Sequence, residues 1–346
     1  MPATLKDVAI DAGVSLATAS RVLRYDDKAF TPETRKRVQQ SAEKLKFRQN
    51  LLVKGIQSGR SETIGVILPI NTEFETKLFH GMHEELVSGD HVAIVVKTAG
   101  DCPQTLRKNT REQIHRLVDR RVDGIILMPN DDHAPDEFLS EVWERGIPLV
   151  TVDREMPATH ADFSGNDDYG GGRMVADHLL ELGHRHLAQW TTMLGKYANT
   201  YDQRMCGFKD AIQNSGNAAC TTVEDSKFLE DLENPAALNE LLRADTRPTA
   251  LFVPWDRAAI VVYHVAQQLG IRIPKDLSVV GYANYEYSEW AEPPLTTVDQ
   301  FPEEIGREAV RLLFRRLRGD LDGEGPQKVR RKPELVIRKS TCPPSP

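Results

Sequence analysis

From residue 62 onward the chain alternates short apolar runs rich in β-branched residues with longer segments of helical periodicity. This alternation is typical of an α/β fold built on a mostly parallel sheet. The predicted strands are 64–68, 92–97, 123–128, 148–152, 186–190, 249–253 and 277–281. The predicted helices are 75–88, 104–120, 135–145, 170–182, 201–214, 236–243, 257–269 and 303–318.

The residues that follow each predicted strand are candidates for a binding site. In open sheets of this kind, ligands bind beyond the carboxyl ends of the strands. The candidates are Ile70 and Phe74 after the first strand, Asp153 and Arg154 after the fourth, and Trp255 and Asp256 after the sixth.

Two of these candidates allow two interpretations each. The indole of Trp255 either covers the edge of the core or stacks against a sugar ring, whose C–H face suits an aromatic plane. Asp256 either caps the helix that follows or binds ligand hydroxyl groups. The sequence leaves both choices open.

Charge is distributed unevenly along the chain. Residues 1–60 carry a net charge of +6, whereas the remainder must carry −13 to give the net charge of −7. A small basic head attached to an acidic body favours binding of nucleic acid by the head alone.

The basic head contains the pattern of a helix-turn-helix. Leu5, Val8 and Ala9 give a first short helix one buried face, and Gly13 supplies the turn. Ser15 is a good N-cap for a second helix, whose Ala19, Val22 and Leu23 face the first. Thr31, as N-cap before Pro32, begins a third helix that closes the domain.

The opposite face of the second helix carries Leu16, Ala17, Ser20 and Arg21, which is too sparse in charge for an ordinary solvated surface. In a major groove an arginine pairs with guanine, and an apolar side chain touches a thymine methyl. Serine and threonine hydroxyls bind phosphate. A generic helical hairpin with a solvated arginine is the alternative.

Several stretches resemble the lactose-repressor (LacI/GalR) family of bacterial transcription regulators. "TLKDVAIDAGVSLATASRVLR" and "TPETRKRVQQSAEKLKF" are similar to the family's DNA-binding head. "ETIGVILP", "RRVDGIILMP", "GIPLVTVDRE", "GGGRMVADHLLELGHRHLA", "VVGY" and "PPLTTVDQFPEEIGREAVRLLFRRLRG" are similar to the rest, in the same order.

The resemblance implies a three-helix DNA-binding head over residues 1–48 and a hinge over 49–61. It implies a two-lobed α/β effector and dimerisation domain, like the periplasmic sugar-binding proteins, over 62–341, and a tail over 342–346. The expected DNA contacts are Thr4, Ser15, Leu16, Ala17, Thr18, Ser20, Arg21, Thr31, Arg35, Asn50, Lys54 and Ile56.

Arg204 falls where members of the family carry an arginine that holds the effector. The full set of expected effector contacts is Ile70, Phe74, Asp153, Arg154, Arg204, Phe228, Trp255, Asp256, Tyr282 and Asn284. The expected effector is a carbohydrate or a derivative.

The chain departs from the family at two positions near the expected effector. Ala283 stands directly after "VGY", where an acidic residue is common, and Trp255 stands where a small polar residue is common. The loss of the carboxylate allows a less polar ligand, a ligand held by Tyr282, Asn284 or Tyr285, or a degenerate site.

In the family the segment equivalent to residues 50–60 forms a short helix on DNA, and a leucine from it enters the minor groove. This chain has Ile56 at the position of that leucine, Gly55 where a small residue is usual and Gln49 where proline is common. Isoleucine is still an apolar wedge, so we expect it to kink DNA. A passive flexible linker is the alternative.

The sequence gives little support to other classes of function. The run "GNDDYGGGR" lacks the spacing of a phosphate-binding loop, and no arrangement of histidine, serine or cysteine is typical of a catalytic or metal site. We therefore expect no enzymatic activity and no cofactor. The alternatives are a sugar-modifying enzyme or an extracellular binding protein with a fortuitous helical head.

The remaining expectations concern location and assembly. The apolar runs are shorter than a membrane span, and "MPATLKDVAID" has no apolar signal core, which favours a cytoplasmic protein.

One short helix reads few base pairs, so we expect a homodimer on pseudo-palindromic operator DNA. The tail has no leucine heptads for a coiled coil.

Overall fold

The computed structural model describes residues 3–23, 30–48, 59–98, 103–129, 139–156, 160–191, 199–225 and 235–345. The chain divides into two compact units, Met1–Ser61 and Glu62–Pro346. The predicted hinge therefore falls largely on residues 49–58, which lie outside the described part of the chain.

In the described residues of the first unit there are three helices: α1 (Leu5–Asp11), α2 (Leu16–Leu23) and α3 (Pro32–Lys44). Their core is formed by small and β-branched side chains, which allow short helices to approach closely. Val8, Ala19 and Val38 are fully buried there. An ion pair of 2.7 Å between Lys44 Nζ and Asp11 Oδ1 joins α3 to α1.

The second unit contains two lobes, each built on its own parallel sheet. The first sheet has the strand order β11-β5-β4-β3-β1-β2. Its strands are β1 (Thr63–Leu68), β2 (Val92–Lys97), β3 (Gly124–Leu127), β4 (Leu149–Val152), β5 (Asp162–Asn166) and β11 (Lys328–Arg331). Ile64 pairs with Ala93 on one side and with Gly124 on the other.

The second lobe contains a four-stranded sheet of order β7-β6-β8-β9 and a separate antiparallel pair of β10 and β12. The strands are β6 (His186–Thr191), β7 (Ala219–Glu224), β8 (Ala250–Phe252), β9 (Ser278–Val280), β10 (Thr297–Asp299) and β12 (Glu334–Val336). The backbone N–H of Gly281 donates to Thr296 O at 3.0 Å, which brings the pair against the end of β9.

Helices lie between the strands and bury their apolar sides against the sheets. In chain order they are α4 (Glu73–Ser88), α5 (Pro103–Asp119), α6 (Ser140–Glu144), α7 (Asp168–Glu181), α8 (Asn199–Asn214), α9 (Ala236–Arg243), α10 (Asp256–Gln268), α11 (Glu286–Trp290) and α12 (Pro302–Arg318). Leu78 of α4 and Leu313 of α12 are fully buried in the core of the first lobe.

The predicted parallel α/β architecture is confirmed, and the seven predicted strands match to within one residue at each end. The eight predicted helices end within one residue of the observed ends, and the start of the predicted helix 135–145 falls on residues 130–138, which are not described. The sequence did not predict α11 or the five strands β5, β7, β10, β11 and β12.

The described residues of the predicted tail, 342–345, form hydrogen bonds with the second lobe. The backbone N–H of Cys342 donates to Ser278 Oγ at 3.1 Å, and Ser345 Oγ donates to Lys275 O at 3.2 Å. Hydrogen bonds of this kind hold a chain terminus that carries no regular structure.

The glycine run in "GNDDYGGGR" serves close packing between α7 and α8. A Cβ atom on Gly172 would lie 1.9 Å from the carbonyl oxygen of Arg204, and one on Gly207 would lie 2.0 Å from that of Tyr169. Only a residue without a side chain permits backbones to approach this closely. The run therefore brings two helices together.

We expect Gly172→Ala to lower the free energy of unfolding by about 1–3 kcal/mol, because the added methyl group overpacks the contact between the two helices. Urea denaturation followed by circular dichroism measures the change. Gly325→Ala is the matched control, since a Cβ there meets no atom within 4 Å. Equal stability of the two variants would contradict the packing role.

Candidate functional site

The exposed side of α2 forms one candidate site, which we call the contact face: Leu16, Ala17, Ser20 and Arg21. Leu16 is 52% exposed, and Ala17 and Arg21 are also exposed. Ala19 and Val22, on the other side of α2, are buried. The helix thus presents an apolar side chain and a guanidinium to solvent while its other side holds it in the head.

Side-chain hydroxyl groups cap the N-termini of α2 and α3. Ser15 Oγ accepts a hydrogen bond of 3.0 Å from the Thr18 backbone N–H, and the two hydroxyls are 2.8 Å apart. A pair of hydroxyls uses one proton between them, so one proton of Ser15 and Thr18 remains to donate to a phosphate. Thr31 caps α3 in the same way and accepts from the Thr34 N–H at 3.3 Å.

Thr4 is the N-cap of α1. Its backbone N–H and its hydroxyl both donate to Asp7 Oδ2, at 2.8 and 2.7 Å. Because both donors are engaged within this capping box, we assign Thr4 to stabilising α1. Arg35 lies half-buried on α3, whereas Asn50, Lys54 and Ile56 lie outside the described residues.

A second candidate site lies in the cleft of the second unit and consists of two neighbouring cavities. The smaller, which we call the aromatic cavity, has a volume of about 60 Å³. It is lined by Thr72, Phe74, Glu75, Asp153, Arg154, Thr200, Tyr201, Arg204, Trp255, Ala283, Tyr285 and Gln300. The larger, which we call the acidic cavity, has a volume of about 240 Å³. It is lined by Asp153, Glu155, Phe163, Asn166, Asp167, Asp168, Tyr169, Thr200, Gln203 and Arg330.

Arg204 lies between the helices of the second lobe and is only 4% exposed. Its Nε donates to Asp168 Oδ1 at 2.7 Å, and its Nη1 donates to Pro254 O at 2.8 Å. Burial is the largest single influence and disfavours the charge, but Asp168, Tyr282, Tyr201 and Asp153 together outweigh it and raise the pKa of Arg204. The guanidinium therefore stays charged and is held rigidly at the wall of the aromatic cavity.

Asp153 directly follows β4 and lines both cavities. Its φ of 64° lies in the left-handed region, which is uncommon for a residue with a side chain. Burial raises the pKa of Asp153 to about 6, although the neighbouring Arg154 acts in the opposite direction. Such a carboxylate gains stability from any ligand that supplies hydrogen-bond donors.

The predicted candidates Phe74, Arg154 and Trp255 also line the aromatic cavity. Trp255 packs against the second lobe, and its ring centroid is 6.3 Å from that of Tyr201. The indole covers the edge of the core and also borders the cavity, so stacking on a sugar ring stays a prediction. Arg154 Nη1 donates to Pro129 O at 3.3 Å.

Asp256 is a correction, because protein donors occupy its carboxylate. The side chain is fully buried, and Oδ2 accepts from the Tyr285 N–H at 2.8 Å and from Ser288 Oγ at 2.7 Å. Oδ1 accepts from Thr297 Oγ1 at 2.5 Å. Asp256 is also the first residue of α10 rather than its N-cap, which is Trp255. We therefore assign Asp256 to joining α10, α11 and β10.

Tyr282, Asn284 and Ile70 do not line either of these two cavities. Tyr282 lies beneath Arg204, whose guanidinium carbon is 4.0 Å from the ring centroid. Asn284 Nδ2 donates to Asp299 Oδ2 at 2.9 Å, and its Oδ1 accepts from Arg338 Nη2 at 2.8 Å. Ile70 packs against the core of the first lobe. Phe228 lies outside the described residues.

The prediction missed several lining residues that carried a local signal. Thr200 and Tyr201 precede Arg204 by four and three residues on α8, a spacing that places all three on one side of a helix. Thr72 and Glu75 form a capping box at the start of α4, with the Thr72 N–H donating to Glu75 Oε2 at 2.6 Å.

The described residues contain neither a candidate metal cluster nor a candidate membrane span. No group of three or more histidine, cysteine, aspartate or glutamate side chains converges there as a metal site. Within the same residues, no helix combines the length and the apolar character that crossing a membrane requires.

Comparison with known proteins places the chain in a family. A family model of bacterial regulatory proteins of the lacI family matches residues 4–50, and a model of the periplasmic binding protein-like domain matches residues 176–341. The HTH-type transcriptional repressor PurR of Vibrio atlanticus is 31% identical, with 98% of each chain covered. The chain belongs to the LacI family.

Two solved structures have the same fold as this chain. The lac repressor dimer bound to operator and the anti-inducer ONPF has a TM-score of 0.81 at 24% identity, covering 99% of this chain and 100% of that one. The transcriptional regulator CelR in complex with cellobiose has a TM-score of 0.68 at 26% identity, covering 98% of this chain and 99% of that one. The predicted helix-turn-helix head and two-lobed α/β domain are confirmed.

We expect Asp153→Asn to weaken the dependence of stability on pH. The pKa of about 6 exceeds the usual 3.8, so the stability contributed by this carboxyl is present below about pH 4 and is lost as pH rises through 6. The free energy of unfolding that is lost over this pH range is up to about 3 kcal/mol.

Urea denaturation between pH 4.5 and 7.5 measures this effect. The wild type should lose stability relative to Asp153→Asn as the pH rises. Asp245→Asn, at an exposed position, is the control and should follow the wild type. Parallel pH profiles for wild type and Asp153→Asn would show that burial does not perturb this carboxyl.

Proposed function

We propose that this LacI-family protein is a transcriptional repressor that binds pseudo-palindromic operator DNA as a homodimer. In this proposal a small carbohydrate in the cleft changes the affinity for the operator. The contact face of α2 is the observation that carries the proposal. It presents Leu16 and Arg21 on a helix fixed by a buried opposite side, in a chain 31% identical to the repressor PurR.

The contact face suits the floor of a major groove. The guanidinium of Arg21 can donate two hydrogen bonds to guanine O6 and N7, and Leu16 and Ala17 can touch thymine methyl groups. The spare hydroxyl proton of Ser15 and Thr18 can hold a phosphate, which fixes the position of the helix without reading sequence. The same division of roles assigns Ser20 and Thr31 to the DNA backbone.

The short length of α2 supports a homodimer. One helix of eight residues reads only a few base pairs, so useful specificity needs two half-sites related by the symmetry of the dimer. The head, with its net charge of +6, attracts DNA of any sequence. The acidic remainder of the chain limits the attraction between DNA and the rest of the protein.

The cleft supports a carbohydrate as the effector. Phe74, Tyr201, Trp255 and Tyr285 supply aromatic rings to the aromatic cavity, and Asp153 supplies an acceptor. Sugar rings combine an apolar C–H face with hydroxyl donors, which matches this combination. The similarity to CelR, whose complex contains cellobiose, points in the same direction.

A binding role accounts for the site better than an enzymatic one. Arg204 and Asp168 at the cleft are held in a fixed ion pair, which suits recognition. We also place the protein in the cytoplasm, where operator DNA is accessible. Turnover of a bound sugar is the observation that would favour the enzymatic alternative.

We expect Arg21→Ala to weaken binding to the cognate operator by about 1–3 kcal/mol and to relax base preference at one position of each half-site. In-vitro selection of the operator followed by binding titrations on single-base variants measures both effects. Arg21→Lys is the matched control, because lysine keeps the charge but cannot form the bidentate pair.

A role of Arg21 in phosphate contact alone would give a different pattern. Arg21→Ala would then lose affinity equally on every sequence, and Arg21→Lys would bind like the wild type. That pattern would contradict base reading by Arg21.

We expect Gly55→Ala to tighten operator binding and to reduce the response to effector. Glycine within a helix costs about 1 kcal/mol relative to alanine, so this change favours a hinge helix that forms on DNA. Ile56→Ala should weaken binding and reduce DNA bending, because it removes the apolar wedge. Circular-permutation gel shifts measure bending, and wild-type behaviour of both variants would mean that the hinge is a passive tether.

A further inference from the structure

The described chain ends in a short segment that lies on the second lobe, residues 341–345, which we call the C-terminal strap. It follows Ser340, which is fully buried and whose backbone O accepts a hydrogen bond of 2.8 Å from the Val279 N–H of β9. The strap itself is half-buried or exposed and carries no regular structure. Ser340 is therefore a firm anchor, and the residues beyond it can separate from the lobe while the sheet stays intact.

Two histidines of the second lobe contact the strap. His184 Nε2 lies 3.0 Å from the backbone O of Cys342, and His178 Nε2 lies 3.1 Å from Thr341 Oγ1. The Cys342 N–H donates to Ser278 Oγ at 3.1 Å. The strap is thus held by hydrogen bonds, and two of its partners are side chains that titrate near neutral pH.

The hydrogen bonds of His184 suit a neutral ring. The residue is 1% exposed, and its Nδ1 lies 2.8 Å from Thr249 Oγ1. The Cys342 carbonyl can only accept, so Nε2 carries the proton, and Nδ1 can accept from the Thr249 hydroxyl. The neutral imidazole therefore has a partner on each nitrogen while the strap is docked.

The surroundings of both rings disfavour protonation. Burial lowers the pKa of His184 below its usual 6.5, and although the bond to the Cys342 carbonyl acts in the opposite direction, His178 and Arg185 add to the effect of burial. Burial also lowers the pKa of His178, although Glu181 favours its protonated form. The thiol of Cys342 stays neutral at these pH values, because burial raises its pKa.

We propose that the C-terminal strap is a pH-sensitive element, docked on the second lobe while His178 and His184 are neutral and released when they take up protons. The buried ring of His184 gains access to water only if the strap moves away, so protonation and docking compete. Because the docked state holds each pKa below 6.5, docking is strongest above about pH 6.5 and weakens as the pH falls through that value.

The strap also has a structural connection to the cleft. His178 lies in the last turn of α7, and the first residue of the same helix, Asp168, holds Arg204 at the wall of the aromatic cavity. Release of the strap therefore removes a contact from the far end of a helix that forms part of the cleft. The proposal does not depend on the identity of the effector.

Hydrogen exchange of the full-length protein at pH 7.5 and pH 5.0, corrected for the intrinsic effect of pH on exchange, tests the release of the strap. The Cys342 amide reports docking, because it donates to Ser278 Oγ. Its protection factor should fall about fivefold or more at pH 5.0, since the histidines bind more protons once the strap is released. The Val279 amide, which donates to Ser340 O, should keep its protection, because the release is local.

His178→Gln combined with His184→Gln is the test variant, since glutamine offers an N–H donor but does not titrate. In this variant the protection factor of the Cys342 amide should change by less than about twofold between the two pH values. His264→Gln, at an exposed position of α10, is the matched control and should behave like the wild type. Equal protection of the wild type at both pH values, the same fall in the double variant, or a parallel fall at Val279 would overturn the inference.

A chain that ends at Ser340 tests the same proposal without changing a buried residue. Histidine-selective NMR titration measures the pKa of His178 and His184 in this chain and in the full-length protein. Without the strap both pKa values should rise towards 6.5, because both rings gain contact with water. The exposed His264 should titrate alike in both chains. Unchanged titration of His178 and His184 would show that the strap does not control their protonation, which contradicts the proposal.

Discussion

The buried ion pair between Arg204 and Asp168 is the interaction on which the cleft depends. A buried guanidinium is stable only where carboxylates and carbonyl groups compensate for the lost water, and Asp168 and the Pro254 carbonyl provide this. The pair joins α8 to the start of α7, and the bond to Pro254 joins both to the segment that carries Trp255. Removing either charge would leave the other buried without a partner, at a typical cost of about 3–5 kcal/mol.

This pair in turn depends on the close contact of α7 and α8. Gly172 and Gly207 allow the two backbones to approach, and the approach places Arg204 beside Asp168 and above Tyr282. The glycine run and the buried charge are therefore parts of one arrangement. This arrangement gives the second lobe a rigid wall at the cleft. The first lobe contributes Asp153, which is less constrained, to the other side of the cleft.

The sequence predicted the features that depend on local pattern. Apolar runs and helical periodicity located the main strands and helices because burial of one side imposes a fixed spacing. The rule that ligands bind beyond strand ends located Phe74, Asp153 and Trp255, since parallel strands bring their carboxyl ends to one edge. The family resemblance added Arg204, whose burial no local pattern indicates.

The features that the sequence missed depend on partners far away in the chain. Asp256 lies after a strand like a ligand-binding residue, but Ser288 and Thr297 occupy its oxygens. Asn284 is engaged by Asp299 and Arg338 in the same manner. Strands such as β11, with the sequence KVRR, carry charged side chains because they lie at a sheet edge, so their composition does not indicate a strand.

The position of the last strands has a consequence for how the protein is synthesised. β11 completes the edge of the sheet in the first lobe, and β12 pairs with β10 in the second, although they are separated by only two residues. Neither lobe has all its strands until residues 328–336 have left the ribosome. A chain terminated before Lys328 would therefore lose a strand from both lobes at once, and the cleft would lack part of the walls that those strands support.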